Sequence, residues 1–95
     1  EGFIKPIYRW IPSIAVSNLI FYQGKRFPEL TNNVVLTSLK AKKLIKLDFI
    51  DGKVSNETVL IESTDRLRDI EQNEMGQIFV IIDDEESGIW ELQYN

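Results

Sequence analysis

The segment Gln77–Ile82 carries the longest unbroken apolar run in the chain, Ile78-Phe79-Val80-Ile81-Ile82. Bounded by polar turn residues and rich in β-branched side chains, it reads as a strand. A strand apolar on both faces has to be covered on both faces. Helices do not offer themselves as the cover: apolar residues at helical spacing are hard to find, while alternation and short apolar bursts recur along the chain. The cover must then come from other sheets. That leaves a sandwich, a barrel or successive blades of a β-propeller.

The remaining strands follow from alternation and punctuation. Ser17–Tyr22 is the first, ended by Gln23-Gly24, and Lys25–Asn33, with Phe27-Pro28 and Asn32-Asn33, reads as a loop. Val34–Leu39 is the second strand, followed by a short connection, Lys40-Ala41-Lys42. Lys43–Ile50 is the third, with Ile45, Leu47 and Phe49 on one face and Lys46 and Asp48 on the other. Asp51-Gly52 is the strongest hairpin signal, because a tight primed turn needs positive φ at both central residues. Lys53–Glu62 is the fourth strand, with an interruption expected near Asn56. Leu67–Gln72, Gln77–Ile82 and Ile89–Gln93 form a second meander around turns at Asn73–Gly76 and Asp83–Gly88. Phe79 and Ile81 are expected to be buried between the sheets.

Four strands in about 45 residues match one propeller blade, whose repeats commonly run about 40–50 residues. The 95 residues then hold two blades. Residues 1–63 are the first of them with its preceding loop, and residues 64–95 the second, lacking one strand. An unpaired edge is a liability that something must cover, so the chain reads as part of a larger propeller.

Composition narrows the chemistry. There is no cysteine and no histidine, which excludes a disulfide framework, a thiolate metal site, a Ser-His-Asp triad and imidazole ligation from this chain alone. Eleven Lys+Arg against fifteen Asp+Glu leave a net charge of −4, so nothing in the overall charge seeks nucleic acid or an anionic membrane. No apolar run approaches the roughly 20 residues of a membrane helix, and no signal peptide is visible. Asp83-Asp84-Glu85-Glu86 lacks the glycine and ligand periodicity of a calcium loop and reads as a solvated acidic turn. Asn56-Glu57-Thr58 has the glycosylation pattern, which is common by chance.

Four segments carry a more specific signal. They are Tyr8-Arg9-Trp10-Ile11-Pro12-Ser13-Ile14-Ala15, Phe21-Tyr22-Gln23-Gly24-Lys25-Arg26-Phe27-Pro28, Leu36-Thr37-Ser38-Leu39-Lys40 and Asp65-Arg66-Leu67-Arg68-Asp69-Ile70. In order and spacing they resemble the C-terminal part of the soluble pyrroloquinoline-quinone (PQQ)-dependent aldose sugar dehydrogenases, the glucose/sorbosone dehydrogenase family. The resemblance implies an all-β fold of antiparallel four-stranded meanders, the last two blades of a six-bladed β-propeller. It also implies that the strand missing from the final blade is supplied by the N-terminus of the full protein.

The resemblance further implies a quinone on the propeller axis, held by basic side chains and a calcium ion. A histidine takes the sugar's hydroxyl proton while hydride moves to the quinone. Arg66 and Arg68 match cofactor-contacting arginines, and Lys40 a cofactor-contacting lysine. Ser13 aligns with a threonine lining the same site in one branch. Trp10 is the remaining candidate; in that branch the site tryptophan aligns one position later, at Ile11. The histidine and the calcium-binding region match nothing here. The remaining blades would be the chain's partner, an aldose sugar the substrate, and the periplasm or the exterior the location.

The residues themselves leave a plainer reading open. Arg66 and Arg68 can be surface residues paired with Asp65 and Asp69, Lys40 a turn lysine beside Lys42 and Lys43, and Trp10 a packing residue at the blade edge. The rival function is a non-catalytic propeller or β-sandwich module that binds a partner or assembles with copies of itself, three of which would supply six blades. What favours a polyanionic ligand is chemical: the quinone carries three carboxylates, and arginine forks and a lysine point charge are the groups that meet carboxylates. In a meandering blade the loops before the first strand and after the second open on one face. Trp10–Ser13, Lys40 and Arg66 are therefore expected on the same face.

Overall fold

The computed structural model describes residues 8–10, 13–83 and 87–93. It contains seven strands: β1 (Val16–Phe21), β2 (Val34–Ser38), β3 (Lys43–Ile50), β4 (Lys53–Glu62), β5 (Arg66–Gln72), β6 (Ile78–Asp83) and β7 (Gly88–Glu91). They form two meanders, β1-β2-β3-β4 and β5-β6-β7, with every neighbouring pair antiparallel. No α-helix occurs among the described residues. The loop expected over Lys25–Asn33 contains one 3-10 turn, Pro28–Leu30, where proline supplies the starting φ. The acidic turn expected over Asp83–Glu86 lies largely outside the described residues.

The turns follow local chemistry. Asp51 and Gly52 both have positive φ, 52° and 77°, the primed geometry whose twist suits flanking strands. At Asn73–Gly76 the Asn73 side chain accepts the backbone N–H groups of Met75 (3.1 Å) and Gln77 (3.0 Å), and so closes the turn itself. The interruption expected near Asn56 is a shift of register: β4 runs unbroken, but the pairing steps between Asp48↔Asn56 and Phe49↔Val54, leaving Ser55 as the extra residue.

The sheets pack face to face over one apolar cluster. Ile20, Val35 and Leu44 come from the first sheet, Leu67, Ile70, Ile78, Val80 and Ile82 from the second, and Tyr22, Phe27 and Leu30 close one end. β6 turns inward the other set of its apolar residues from the one expected. Ile78, Val80 and Ile82 point between the sheets, while Phe79 and Ile81 are only partly buried on the opposite face. The period of two divides the run into these two sets, but a run apolar on both sides does not say which set meets the neighbouring sheet. That choice is made by the register with β5, whose Leu67 and Ile70 lie opposite Ile82 and Val80. The first sheet is likewise apolar on its far face, where Leu36, Ile45 and Leu47 are covered by Trp10, Ile14, Val34, Phe49 and Val54.

One end of the interface is closed by a backbone approach. The Tyr22 hydroxyl donates to the Gly76 carbonyl at 2.5 Å across the two sheets. A Cβ on Gly24 would lie 2.5 Å from the Tyr22 hydroxyl and 2.7 Å from the Gly76 Cα. Backbone cannot yield as a flexible side chain would, so Gly24→Ala is expected to cost about 1–3 kcal/mol. A urea titration reads this as a lower midpoint with an unchanged slope; an unchanged midpoint would show that the loops part freely.

Candidate functional site

Three chain segments converge at the opposite end of the sheets. The start of β1 is bonded to the β2–β3 turn: Leu39 N–H donates to Ala15 C=O (2.9 Å) and Lys40 N–H to Ile14 C=O (3.1 Å). Ser38 Oγ donates to the same Ile14 carbonyl and accepts Ala41 N–H (2.9 Å). The β2–β3 turn is bonded in its turn to the β4–β5 connection, through Ser63 N–H and Lys42 C=O (2.8 Å). Ser13, Lys40 and Arg66 therefore sit on segments that share one end of the molecule.

Ala15 and Lys42, at the junctions of these segments, have positive φ (55° and 57°) without being glycine or asparagine. That conformation costs about 1–2 kcal/mol per residue. The hydrogen bonds accepted by their carbonyls hold it in place, and backbone strain of this kind collects at functional sites.

Among the described residues the exposed charged side chains at this end are mainly basic, with Glu62 an acid among them. Lys40, Lys42, Arg66 and Arg68 are all exposed. Arg66 meets Asp83 across the strand pair at 3.6 Å, an exposed contact worth about 0–1 kcal/mol. Its partner is thus Asp83 and not an adjacent acid. Lys40 and Arg68 make no ion pair among the described residues. Arg66 and Arg68 flank Leu67, which is buried, so both stand on the side away from the inter-sheet core. Ser13 is exposed, its Oγ accepting Ala15 N–H at 3.2 Å.

Trp10 sits elsewhere. It packs on the far face of the first sheet, its indole N–H donating to Glu57 Oε1 (3.0 Å) in the middle of β4. Tyr8 meets it edge-on, with centroids 4.9 Å apart, and donates its hydroxyl to the same Glu57 oxygen at 2.6 Å. Ile11, the neighbouring alternative, lies outside the described residues. The hydrogen bond to Glu57, with lesser help from desolvation and the carboxylate charge, raises the Tyr8 phenol above its ordinary 10.0. This contribution to stability is present below the ordinary value and is lost as pH rises through the raised one. Alkaline titration of tyrosinate absorbance should show one phenol moving back down in Glu57→Gln; an unchanged curve would contradict the contact.

A polar seam joins the two sheets beside the basic cluster. Ser17 Oγ donates to Leu67 C=O at 2.7 Å and, with its one hydrogen so engaged, accepts from Thr37 Oγ1 at 2.7 Å. Asn18 Nδ2 donates to Asp69 Oδ1 and to Ile70 C=O (3.3 Å), and Asp69 Oδ1 also accepts Ile70 N–H (2.8 Å). Both strands shift register here, β1 between Val16 and Asn18 and β5 between Leu67 and Asp69. Ser17, Asn18 and Asp69 were not among the residues the sequence singled out. The signal was present as a repeat at an offset of 51, Val16-Ser17-Asn18 against Leu67-Arg68-Asp69, an apolar residue and an Asx bracketing the extra one. Among the described residues no three His, Cys, Asp or Glu side chains form a group that could hold a metal ion.

Antiparallel meanders packed face to face, with no α-helix among the described residues, suit the blades of a β-propeller, and solved propeller dehydrogenases superpose on them. A glucose dehydrogenase structure aligns with a TM-score of 0.89 at 25% identity, over 99% of this chain and 30% of that one. The apo-form of the soluble aldose sugar dehydrogenase of Escherichia coli aligns with a TM-score of 0.75 at 25% identity, over 93% of this chain and 26% of that one. The family model described as Glucose / Sorbosone dehydrogenase matches residues 1–91, and the chain belongs to that family. In sequence it is 31% identical over 84 residues to the aldose sugar dehydrogenase YliI of Escherichia coli (strain K12), a match over 87% of this chain and 23% of the relative. The uncharacterized protein slr1608 of Synechocystis sp. is 26% identical over 90 residues, 95% of this chain and 22% of the relative. The chain thus spans less than a quarter of the length of these two relatives. No helix among the described residues is long and apolar enough to cross a membrane.

Proposed function

We propose that these residues form the cofactor-wall portion of a PQQ-dependent aldose sugar dehydrogenase, and that residues 1–63 and 64–95 are the last two blades of its six-bladed propeller. The observation that carries this reading is the convergence of the β1 start, the β2–β3 turn and the β5 start at one end. There Lys40, Arg66 and Arg68 stand exposed on a chain whose net charge is −4. A local cationic cluster on an acidic chain suits a small polyanion, and a quinone with three carboxylates is one. Arg68 and Lys40 carry no ion pair among the described residues and would bind it directly, Arg66 would exchange Asp83 for it, and Ser13 would add a hydroxyl. Trp10, held by Glu57 on the far face of the first sheet, stands apart from these residues, so the wall in this reading rests on the other four.

The bound quinone supplies the electron-accepting chemistry; the chain's own residues bind and orient it. Calcium finds no ligand group among the described residues, and the chain has no histidine. In this reading the metal and the proton-accepting base both come from parts of the protein outside these 95 residues, as does the strand completing the second sheet. The sugar would meet the cofactor there too, in a periplasmic or secreted enzyme. The test is made on the full-length apoprotein. Addition of quinone and calcium should give aldose-dependent dye reduction and a saturable change in quinone absorbance. Absence of quinone binding at micromolar concentrations would refute the reading.

A further inference from the structure

Arg68 occupies an unusual place in its strand. The pairing of β5 with β6 runs Leu67↔Ile82 and then Asp69↔Ile81, so Arg68 is the extra residue, facing no partner on β6. An extra residue of this kind bends its strand and redirects its side chain, and such positions are common beside active sites. Left to itself the direction would be poorly fixed, because no ladder partner holds the residue.

Both shoulders of the bulge are gripped from the neighbouring sheet. Ser17 Oγ donates to the carbonyl of Leu67, immediately before Arg68, at 2.7 Å. Asn18 Nδ2 donates to the carboxylate of Asp69, immediately after it, and Asp69 Oδ1 folds back onto Ile70 N–H at 2.8 Å. The grip is itself fixed. Ser17 is bonded to Thr37 Oγ1, which is fully buried, and β1 carries its own register shift at the level of Ser17. Two consecutive residues of one blade thus hold the residues on either side of Arg68 in the next.

We infer that Ser17, Asn18 and Asp69 are positioning residues that set the direction of the Arg68 guanidinium toward its anionic ligand. This rests on the proposed quinone site and adds to it residues that touch no ligand. The alignment is a property of two blades together, since half of the clamp belongs to each. Removing it leaves the charge of Arg68 in place but releases its direction, and a two-pronged contact with a carboxylate depends on direction.

The experiment is a double-mutant cycle in the full-length apoprotein, read as the dissociation constant of PQQ at saturating calcium, by quinone absorbance, with the melting temperature measured alongside. Asp69→Ala and Ser17→Ala are each expected to weaken binding about tenfold in the parent, and by less than about twofold once Arg68 is alanine. Asp69→Asn keeps an oxygen for Asn18 and Ile70 and should stay near the parent value. Lys53→Ala, on the exposed hairpin at the far end, is the control. If the Asp69→Ala loss persists undiminished in the Arg68→Ala background, the residue acts on general stability and the inference is overturned. It is equally overturned if Asp69→Ala and Ser17→Ala bind like the parent while Arg68→Ala is weakened. If Arg68→Ala itself binds like the parent, the quinone assignment fails first and takes the positioning role with it.

Discussion

Arg68→Ala in the full-length protein is expected to weaken quinone binding by about ten- to a hundredfold. A hydrogen bond to a charged group contributes about 1.5–3 kcal/mol, and about 1.4 kcal/mol corresponds to a tenfold change in affinity. Arg66→Ala should cost less, toward the lower end of that range. Arg66 already has Asp83 at 3.6 Å, and leaving it offsets part of what the cofactor returns. Asp83→Asn should accordingly tighten binding slightly through Arg66, a change of opposite sign. Arg68→Lys keeps the charge and loses the fork, so it should recover only part of the affinity. Equal affinity in the parent, Arg66→Ala and Arg68→Ala, measured by titrating apoprotein with quinone, would return both arginines to the surface.

The second large effect concerns the core. Ile78 and Ile70 are fully buried between the sheets, and truncating a buried isoleucine costs about 2–5 kcal/mol. Small domains are stable by about 5–15 kcal/mol in total. Ile78→Ala is therefore expected to bring the chain close to unfolding at room temperature. Phe79→Ala, though it removes a larger side chain, should shift the urea midpoint less, because Phe79 lies partly exposed on the far face of β6. The reverse order, with Phe79→Ala the more damaging, would mean that the two faces of β6 are assigned the wrong way round.

Much of this architecture can be read from local chemistry. Asp51-Gly52 and Asn73–Gly76 are turns for reasons confined to a few residues, and seven strands of alternating or doubly apolar character leave little choice of class. What alternation does not hold is the partition of Ile78–Ile82 between the two faces. That depends on which residues of β5 lie opposite, a non-local fact. The bulges are hidden for the same reason: Ser17 and Arg68 are ordinary strand residues until two registers are known. The basic residues, by contrast, are visible because motif spacing reports them directly. The hydrogen bonds that bring Lys40 beside the start of β1 run through backbone groups, which every residue possesses and no sequence distinguishes.

The two sheets do not lie parallel in their contacts. At β1 and β5 they are stitched by Ser17, Asn18 and Asp69, whereas at the opposite rim they part around a cleft of about 370 Å³ lined by Leu44, Leu60, Val80 and Trp90. The pair is a wedge, narrow at its first strands and wide at its last. Wedges laid side by side must turn about a common axis, and their taper fixes how many complete the circle. The small polar side chains at the narrow edge thus act as a spacer gauge. A bulkier residue in place of Ser17 would blunt the wedge, and the strain would appear as a gap somewhere else around the circumference.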